Sequence, residues 1–134
     1  MAEELTVSVP VRYRDLDTEN HVNNAVYATY FEQARTAYAH EVLGLGLENY
    51  NFVLAHLEID FGRPVTLEDD LTVAVSVSEL GETSVTMVYD VRADGESVAT
   101  GETTLVFVDP EAKRPSEIPT DVRERIVEFE GLGQ

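Results

Sequence analysis

The sequence predicts an α+β domain in which a five-stranded antiparallel sheet covers one long helix. From about Ala25, apolar side chains recur at spacings of three and four, which is the pattern of one helix face. One alternating stretch precedes this helix and four follow it over short connections, which favour antiparallel neighbours. A helix of roughly 18 residues is ~27 Å long, enough to cover one face of such a sheet.

The first half of the chain contains a strand, a polar loop and the helix. Val7, Val9 and Val11 alternate with polar neighbours and predict the strand. Asn23 or Asn24 is placed to cap the helix, because a short side-chain oxygen accepts an orphan N–H of the first turn. The apolar face of the helix consists of Tyr27, Tyr30, Phe31, Ala34 and Tyr38, and Gly44 and Gly46 mark its end.

The second half predicts four strands and a short helix. Alternating apolar and polar residues place strands at about 53–61, 71–77, 85–91 and 97–108. Asp94-Gly95 is a hairpin signal, and Gly101 within the last strand predicts a β-bulge. A short C-terminal helix is expected from about Pro119 or Thr120 to Phe129. Residues 1–134 show no linker or repeat and predict a single domain.

Composition excludes several classes of protein. There is no cysteine, and no apolar run of ~18 residues that would cross a membrane. The acidic N-terminus lacks a signal-peptide pattern, so a cytoplasmic location is expected. The 26 acidic and 9 basic residues give a net charge of −17, which disfavours nucleic acid as a partner. Lys113 is the single lysine, so we expect a halophilic protein rather than an ordinary acidic one.

The polar loop before the helix is the candidate site. The segment RDLDTENHVNN brings carboxylates, an imidazole and amides to a helix N-terminus, where free N–H groups and the helix dipole favour negative charge. Asp17 is the candidate general base or nucleophile, and His21 is the candidate orienting group. Each of these residues also has a purely structural interpretation. Asp17 would form the turn, His21 would hydrogen-bond the backbone, and Asn23 or Asn24 would cap the helix.

Other chemistries do not fit the sequence. The loop begins like a calcium site, but Asn20 stands where glycine is needed and Val26 where glutamate is needed. His21, His40 and His56 lack metal-ligand spacing. The sequence has neither a G-x-S-x-G elbow nor a phosphate-binding loop. We therefore expect no metal and no cofactor.

Residues 13–35 resemble the opening of the hotdog-fold acyl-CoA thioesterases of the 4-hydroxybenzoyl-CoA thioesterase type. The matching positions are Asp17, the run His21-Val22-Asn23-Asn24, Tyr27, Phe31-Glu32 and Arg35. The segment is also similar to plant acyl-carrier-protein thioesterases, where asparagine is usual at the position of Glu19. Many bacterial relatives have glycine at Asn20, and asparagine also tolerates a left-handed backbone.

The resemblance implies hydrolysis of an acyl-CoA thioester to the free acid and CoA. It assigns Asp17 as base or nucleophile, the backbone N–H near Asn24 as oxyanion donor, and His21 as an orienting group. It also implies a homodimer with a site shared across the interface. Residues 53–61 are the predicted edge strand that would pair, and further assembly into a tetramer stays open. The expected substrate-binding residues are Asn23, Tyr27, Glu32, His56, Glu58 and Arg63.

Two alternatives remain open at this point. A hotdog hydratase or dehydratase would place an Asp/His pair over an enoyl or hydroxyacyl thioester, although the D-x-x-x-H-V-N-N spacing disfavours it. A non-enzymatic module would bind acyl-CoA without converting it. The sequence does not distinguish CoA from acyl-carrier-protein substrates, nor one acyl group from another.

Overall fold

The computed structural model describes residues 4–132, apart from the side chain of Leu47, and confirms the predicted α+β architecture. An antiparallel sheet curls around one long helix, and a short helix follows the sheet. The elements are β1 (Leu5–Val9), α1 (Val26–Tyr38), β2 (Phe52–Phe61), β3 (Leu71–Leu80), β4 (Ser84–Ala93), β5 (Glu96–Asp109), the two-residue β6 (Arg114–Pro115) and α2 (Thr120–Glu130). No helix in residues 4–132 is long and apolar enough to cross a membrane.

The strand order corrects the expected succession of hairpins. The sheet runs β1-β3-β4-β5-β2, with β6 paired to β5. Strand β2 therefore pairs with β5 and not with β3, which follows it in the chain. The connection over residues 62–70 is too long for a tight hairpin, so it crosses to the far side of the sheet. The prediction that β2 is an edge strand is confirmed.

The core lies between α1 and the concave face of the sheet. The predicted apolar face of α1 is buried, and the Phe31 ring stacks on Tyr89 of β4 with centroids 4.2 Å apart. Gly101 of β5 lies under this ring, and a Cβ there would be 2.3 Å from the Phe31 ring. The predicted bulge at Gly101 is wrong, because the pairing of β5 with both neighbours is regular through this residue. Close approach of the helix explains this glycine.

The C-terminal end of α1 is closed by α2. A turn of π-helix over Ala39–Leu43 extends α1, and the predicted stop is at Gly44, which has a left-handed conformation with φ +79°. Arg125 of α2 donates to the Leu43 carbonyl at 2.8 Å. The buried Glu130 carboxylate accepts the Tyr38 hydroxyl at 2.5 Å and the Val77 N–H at 2.7 Å. These bonds connect α2 to both α1 and β3.

Candidate active site

The loop between β1 and α1 forms a tight turn around Asp17. Leu16 and Val22 pair as an isolated antiparallel bridge, and the Asp17 N–H donates to the His21 carbonyl at 2.8 Å. Asn20 has a left-handed backbone with φ 62°, as its place in the motif predicts. Its N–H donates to the Asp17 carbonyl at 3.1 Å. The turn therefore brings His21 back beside Asp17.

The carboxylate of Asp17 is held at one oxygen. Its Oδ1 accepts the N–H of Glu19 at 2.8 Å and the N–H of His21 at 3.2 Å. Its Oδ2 takes part in none of the hydrogen bonds among the described residues, and the side chain is exposed. Asp17 therefore stabilises the turn through Oδ1, as the structural interpretation predicts. Its carboxylate is also fixed in place, with Oδ2 free of hydrogen bonds among the described residues.

The tip of α1 leaves a backbone donor unengaged. Asn23 is the capping residue, because its Oδ1 accepts the Ala25 N–H at 2.9 Å and its carbonyl accepts the Val26 N–H at 2.9 Å. Within residues 4–132, the Asn24 N–H donates no hydrogen bond. An unpaired N–H at the positive end of a helix suits an oxyanion.

Asp15 anchors the loop to the helix, a role that sequence reasoning missed. Its Oδ2 accepts the Arg12 N–H at 2.8 Å and the Tyr30 hydroxyl at 2.9 Å. Its carbonyl accepts the Asn23 N–H at 2.8 Å. Burial, and then the bond to Asp15, raise the pKa of Tyr30 far above its ordinary value, so the phenol stays a donor. Periodicity predicts the helical position of Tyr30, but it does not predict a partner fifteen residues earlier.

The two predicted substrate-binding residues on α1 differ in burial. Tyr27 is a core residue whose ring meets Phe61 edge-on at 5.0 Å. Burial raises the pKa of Tyr27, and the nearby positive charge of Arg63 opposes this rise. Glu32 is exposed on the helix surface. Arg35 does not pair with Glu32, because its Nη1 reaches the Tyr89 hydroxyl at 3.4 Å under the sheet.

The guanidinium of Arg63 is already occupied in this chain. It bonds both carboxylate oxygens of Asp69 at 3.2 and 3.3 Å, Glu96 at 3.3 Å and the Pro64 carbonyl at 3.0 Å. Arg63 thereby lowers the pKa of Asp69 below its usual value. Arg14, by contrast, is exposed in the candidate-site loop and makes no ion pair within the described part of the chain.

His56 and Glu58 lie on the sheet face that points away from α1. Gly101 of β5 faces Phe31, so its neighbour Glu102 and the paired Glu58 point to the opposite side. The His56 Nε2 lies 2.9 Å from Glu58 and 4.0 Å from Glu102. The ligand atoms of these three residues lie within 4.8 Å of one another. The single chain does not bring His56 or Glu58 to the Asp17 loop, and their substrate role stays a prediction.

A curled antiparallel sheet around one helix, with a carboxylate loop at the helix tip, is the architecture of the hotdog-fold thioester hydrolases. The chain belongs to the thioesterase-like superfamily, whose profile matches residues 11–126. This confirms the resemblance of residues 13–35 to hotdog-fold thioesterases at the level of the superfamily, while the 4-hydroxybenzoyl-CoA thioesterase type stays a prediction.

Individual relatives match between about three quarters and nearly all of the chain. It is 27% identical over 127 residues to the long-chain acyl-CoA thioesterase FadM of Escherichia coli K12, covering 91% of this chain and 96% of FadM. It is 32% identical over 107 residues to the uncharacterized protein YsmA of Bacillus subtilis strain 168, covering 78% and 72% of the two chains. A crystal structure of a thioesterase from Thermus thermophilus, complexed with coenzyme A and Zn, has a TM-score of 0.87 and 42% identity over 96% of both chains.

Proposed function

We propose that this protein hydrolyses an acyl-CoA thioester to the free acid and CoA, with Asp17 as the reacting carboxylate. The observation that carries the proposal is the loop geometry. A carboxylate with one available oxygen and an unengaged N–H at Asn24 lie on the two arms of one short hydrogen-bonded loop. The similarity to FadM, and to a thioesterase crystallised with coenzyme A, supports a CoA thioester as the substrate.

The reaction needs an attack on the thioester carbon and stabilisation of the oxygen that becomes negative. Asp17 Oδ2 either takes a proton from an attacking water or attacks the carbon itself, forming an anhydride that water then opens. In both routes the carbonyl oxygen accepts the Asn24 N–H while it carries negative charge, and the C–S bond breaks to release the CoA thiolate. The thiolate is a weak base, so a strong general acid is not required.

The remaining site residues position the substrate and the base. His21 orients the carbonyl, the water or Asp17, and its backbone N–H already holds Asp17 Oδ1. Asn23 caps the helix and thereby sets the direction of the Asn24 N–H. Tyr27 and Glu32 lie further along α1, where Tyr27 supports the wall beside Phe61.

Positive charge for the CoA phosphates comes from Arg14 or Arg63. Arg63 is one of the substrate-binding residues expected from the sequence, but its bonds to Asp69 and Glu96 must rearrange before it binds phosphate. Arg14 needs no such rearrangement. Comparing Arg14→Ala with Arg63→Ala on acyl-CoA, and on a short thioester lacking the nucleotide, assigns the role. Substitution of the arginine that binds phosphate should raise KM for acyl-CoA and leave KM for the short thioester unchanged.

The working unit is a homodimer in which a second copy completes the site. The concave side of edge strand β2 is not fully covered by α1, and it leaves Leu54, Leu57 and Phe61 48%, 39% and 47% exposed. Antiparallel pairing of β2 with its two-fold mate would cover these side chains and satisfy the open edge. It would also bring partner residues towards the Asp17 loop, which is open to solvent in one chain.

A panel of acyl-CoA substrates tests the function. Release of free thiol indicates hydrolysis, while a change in enoyl absorbance without free thiol would indicate a hydratase or dehydratase. Binding with neither signal would indicate a non-catalytic module.

The dimer is tested with Leu57→Asp, which places a charge on the concave side of β2. We expect a folded monomer that has lost activity although Asp17 is intact. Leu45→Asp changes another exposed leucine that lies outside β2 and serves as the control. An active Leu57→Asp monomer would exclude a site that depends on the partner.

A further inference from the structure

The outer face of the sheet, which points away from α1, carries a pair of carboxylates that no basic side chain balances. Glu58 of β2 lies directly opposite Glu102 of β5 in the strand register. Like charges in this arrangement repel each other and destabilise a sheet. Arg63 and Arg92 each pair with two carboxylates elsewhere on the surface. Among the described residues, however, no arginine or lysine nitrogen lies within 4.0 Å of Glu58 or Glu102.

An imidazole lies beside these two carboxylates. His56 precedes Glu58 by two residues on β2, so both side chains point to the same face of the sheet. The His56 Nε2 lies 2.9 Å from Glu58 Oε1 and 4.0 Å from Glu102 Oε2. The ligand atoms of all three residues lie within 4.8 Å of one another. Two paired strands therefore bring one imidazole nitrogen and two carboxylate oxygens together.

This set of donor atoms suits a zinc ion. Zn²⁺ binds imidazole nitrogen and carboxylate oxygen at about 2.0–2.2 Å, so a tetrahedral ion holds its ligand atoms roughly 3.3–3.5 Å apart. The two separations from His56 Nε2, 2.9 and 4.0 Å, lie on either side of that value. Small rotations of the glutamate side chains would bring all three atoms to the required distance. Mg²⁺ and Ca²⁺ fit less well, because they prefer a larger number of oxygen ligands.

The three side chains are accessible, and their backbones are held in place. The side chains of His56, Glu58 and Glu102 are 48%, 57% and 41% exposed, so an ion can enter and keep water as its fourth ligand. The pairing of β2 with β5 is regular from His56 to Phe61, which fixes the positions of the ligands relative to one another. Pairing of β2 with a second copy would use its open backbone edge and leave these outward side chains exposed.

We propose that His56, Glu58 and Glu102 bind one Zn²⁺ ion per chain. The ion replaces the repulsion between the two glutamates with attraction to a shared cation, and it connects edge strand β2 to β5 on the outer face of the sheet. A proton on His56 would supply one positive charge for two carboxylates and would occupy the ligand nitrogen. The spacing of the histidines did not indicate this site, because Glu102 comes from a strand that is distant in the sequence. The site is independent of the hydrolysis proposed above.

The test is a calorimetric titration of the whole, metal-free protein with zinc chloride, in potassium chloride that preserves the fold. We expect saturable binding of one ion per chain that excess Mg²⁺ does not displace. His56→Ala and Glu102→Gln should each weaken Zn²⁺ binding at least about tenfold, because each removes one of three protein ligands. His40→Ala and Glu117→Gln are the matched controls. They change an exposed histidine and an exposed glutamate outside the cluster, and they should bind Zn²⁺ normally.

Two further measurements locate the ion. Zn²⁺ should shift the imidazole NMR signals of His56 and leave those of His21 and His40 in place. It should also raise the melting temperature of the wild type more than that of Glu102→Gln, because an ion that binds only the folded chain stabilises it.

Several results would overturn the zinc site. The folded wild type would fail to bind Zn²⁺ saturably, Mg²⁺ would compete equally well, or His56→Ala would bind Zn²⁺ normally. Shifts at His21 or His40 in place of His56 would put the ion elsewhere and exclude this site. Conversion of a dimer to a monomer by Glu58→Gln, without zinc binding in the wild type, would assign the missing positive charge to a second copy of the chain.

Discussion

The two ends of the long helix differ in how completely their polar groups are hydrogen-bonded. At the N-terminal end, the loop is exposed, Asp17 keeps one oxygen outside the hydrogen-bond network of the described residues and Asn24 keeps a free N–H there. At the C-terminal end, Gly44 ends the helix and Arg125 covers the Leu43 carbonyl. Glu130 there is buried, and its carboxylate receives both the Tyr38 hydroxyl and the Val77 N–H.

If the proposed site is correct, this difference separates catalysis from stability along one helix. Groups that remain available to a substrate contribute little to folding, whereas satisfied buried groups hold the layers together. Substitutions at the N-terminal end should therefore change turnover more than unfolding, and those at the C-terminal end should do the reverse. The variants below test this contrast, from the largest expected effect to the smallest.

Asp17→Asn should give the largest change. The asparagine oxygen can still accept the Glu19 and His21 N–H groups, so the loop should persist while the proposed reacting carboxylate is lost. We expect kcat to fall by about 10²–10⁴-fold with an unchanged melting temperature. Steady-state release of free thiol and thermal unfolding measure the two quantities.

Glu19→Gln is the control for Asp17→Asn. It removes one negative charge from the same exposed loop without touching the proposed reacting group. His21→Ala should lie between the two. Near-normal turnover of a folded Asp17→Asn enzyme would show that the reacting group is elsewhere.

Glu130→Ala should act on stability and leave chemistry nearly intact. It leaves the Val77 N–H and the buried Tyr38 hydroxyl without an acceptor. Leaving such groups unpaired costs about 2–4 kcal/mol for the pair of them. Urea unfolding should show this loss, with kcat within about twofold of the wild type at temperatures where the variant is folded. Glu130→Gln, which keeps the side-chain volume and an acceptor oxygen, should lose less. Equal losses would assign the effect to the missing negative charge, which both substitutions remove.

Sequence periodicity predicted the helix face, the strands and the edge position of β2, because each depends on local alternation of apolar and polar residues. The sequence did not predict the pairing of β2 with β5, because loop length alone does not determine which distant strands pair. The bulge predicted at Gly101 is wrong for a related reason: the Phe31 ring that excludes a side chain there is seventy residues away in the sequence.

The candidate site was also only partly predictable: residues in one contiguous motif were recognised, whereas contacts between distant residues were not. Asp17, Asn20 and the capping asparagine are visible in one contiguous motif. The role of Asp15 is not, because its bond to Tyr30 depends on how the loop folds back on α1. The spacing of Arg35 to Glu32 is typical of a surface ion pair, but the curl of the sheet places Arg35 against Tyr89.

Tyr30→Phe tests the connection between the loop and the helix. It removes the hydroxyl that donates to Asp15 and retains the ring in the core. We expect a loss of about 1.5–3 kcal/mol in stability, typical of one hydrogen bond to a charged group. Because Asp15 also holds the Asn23 N–H, kcat should fall about tenfold while KM changes less. Unfolding and steady-state kinetics measure both effects.

Tyr38→Phe is the comparison for Tyr30→Phe. Tyr38 donates to Glu130 at the other end of the same helix, where burial and then Glu130 raise its pKa. Its loss should cost similar stability and leave kcat unchanged. Equal kinetic effects of the two substitutions would mean that Asp15 does not position the helix tip.

The smallest expected effect is a change in stability on removing one negative charge from the sheet, away from both helix ends. Glu58 and Glu102 are directly opposite each other on β2 and β5, with His56 beside them. Like charges in this arrangement cost about 0.2–1 kcal/mol, so Glu102→Gln should stabilise the protein at low salt. In molar potassium chloride the Debye length falls to about 3 Å, and this gain should disappear.

Glu117→Gln is a suitable control, because it removes the same charge from a loop residue that has no such opposite partner among the described strands. Circular dichroism during urea unfolding at several salt concentrations measures all three proteins. If the halophilic interpretation is correct, the wild type gains stability with salt because the repulsion among its 26 carboxylates is screened. Surface ion pairs such as Arg92 with Glu4 oppose that trend, but exposed pairs of this kind contribute little to stability. A wild type equally stable at low and molar salt would reject adaptation to salt, and a Glu102→Gln gain that persists in molar salt would mean that packing, not repulsion, limits this strand pair.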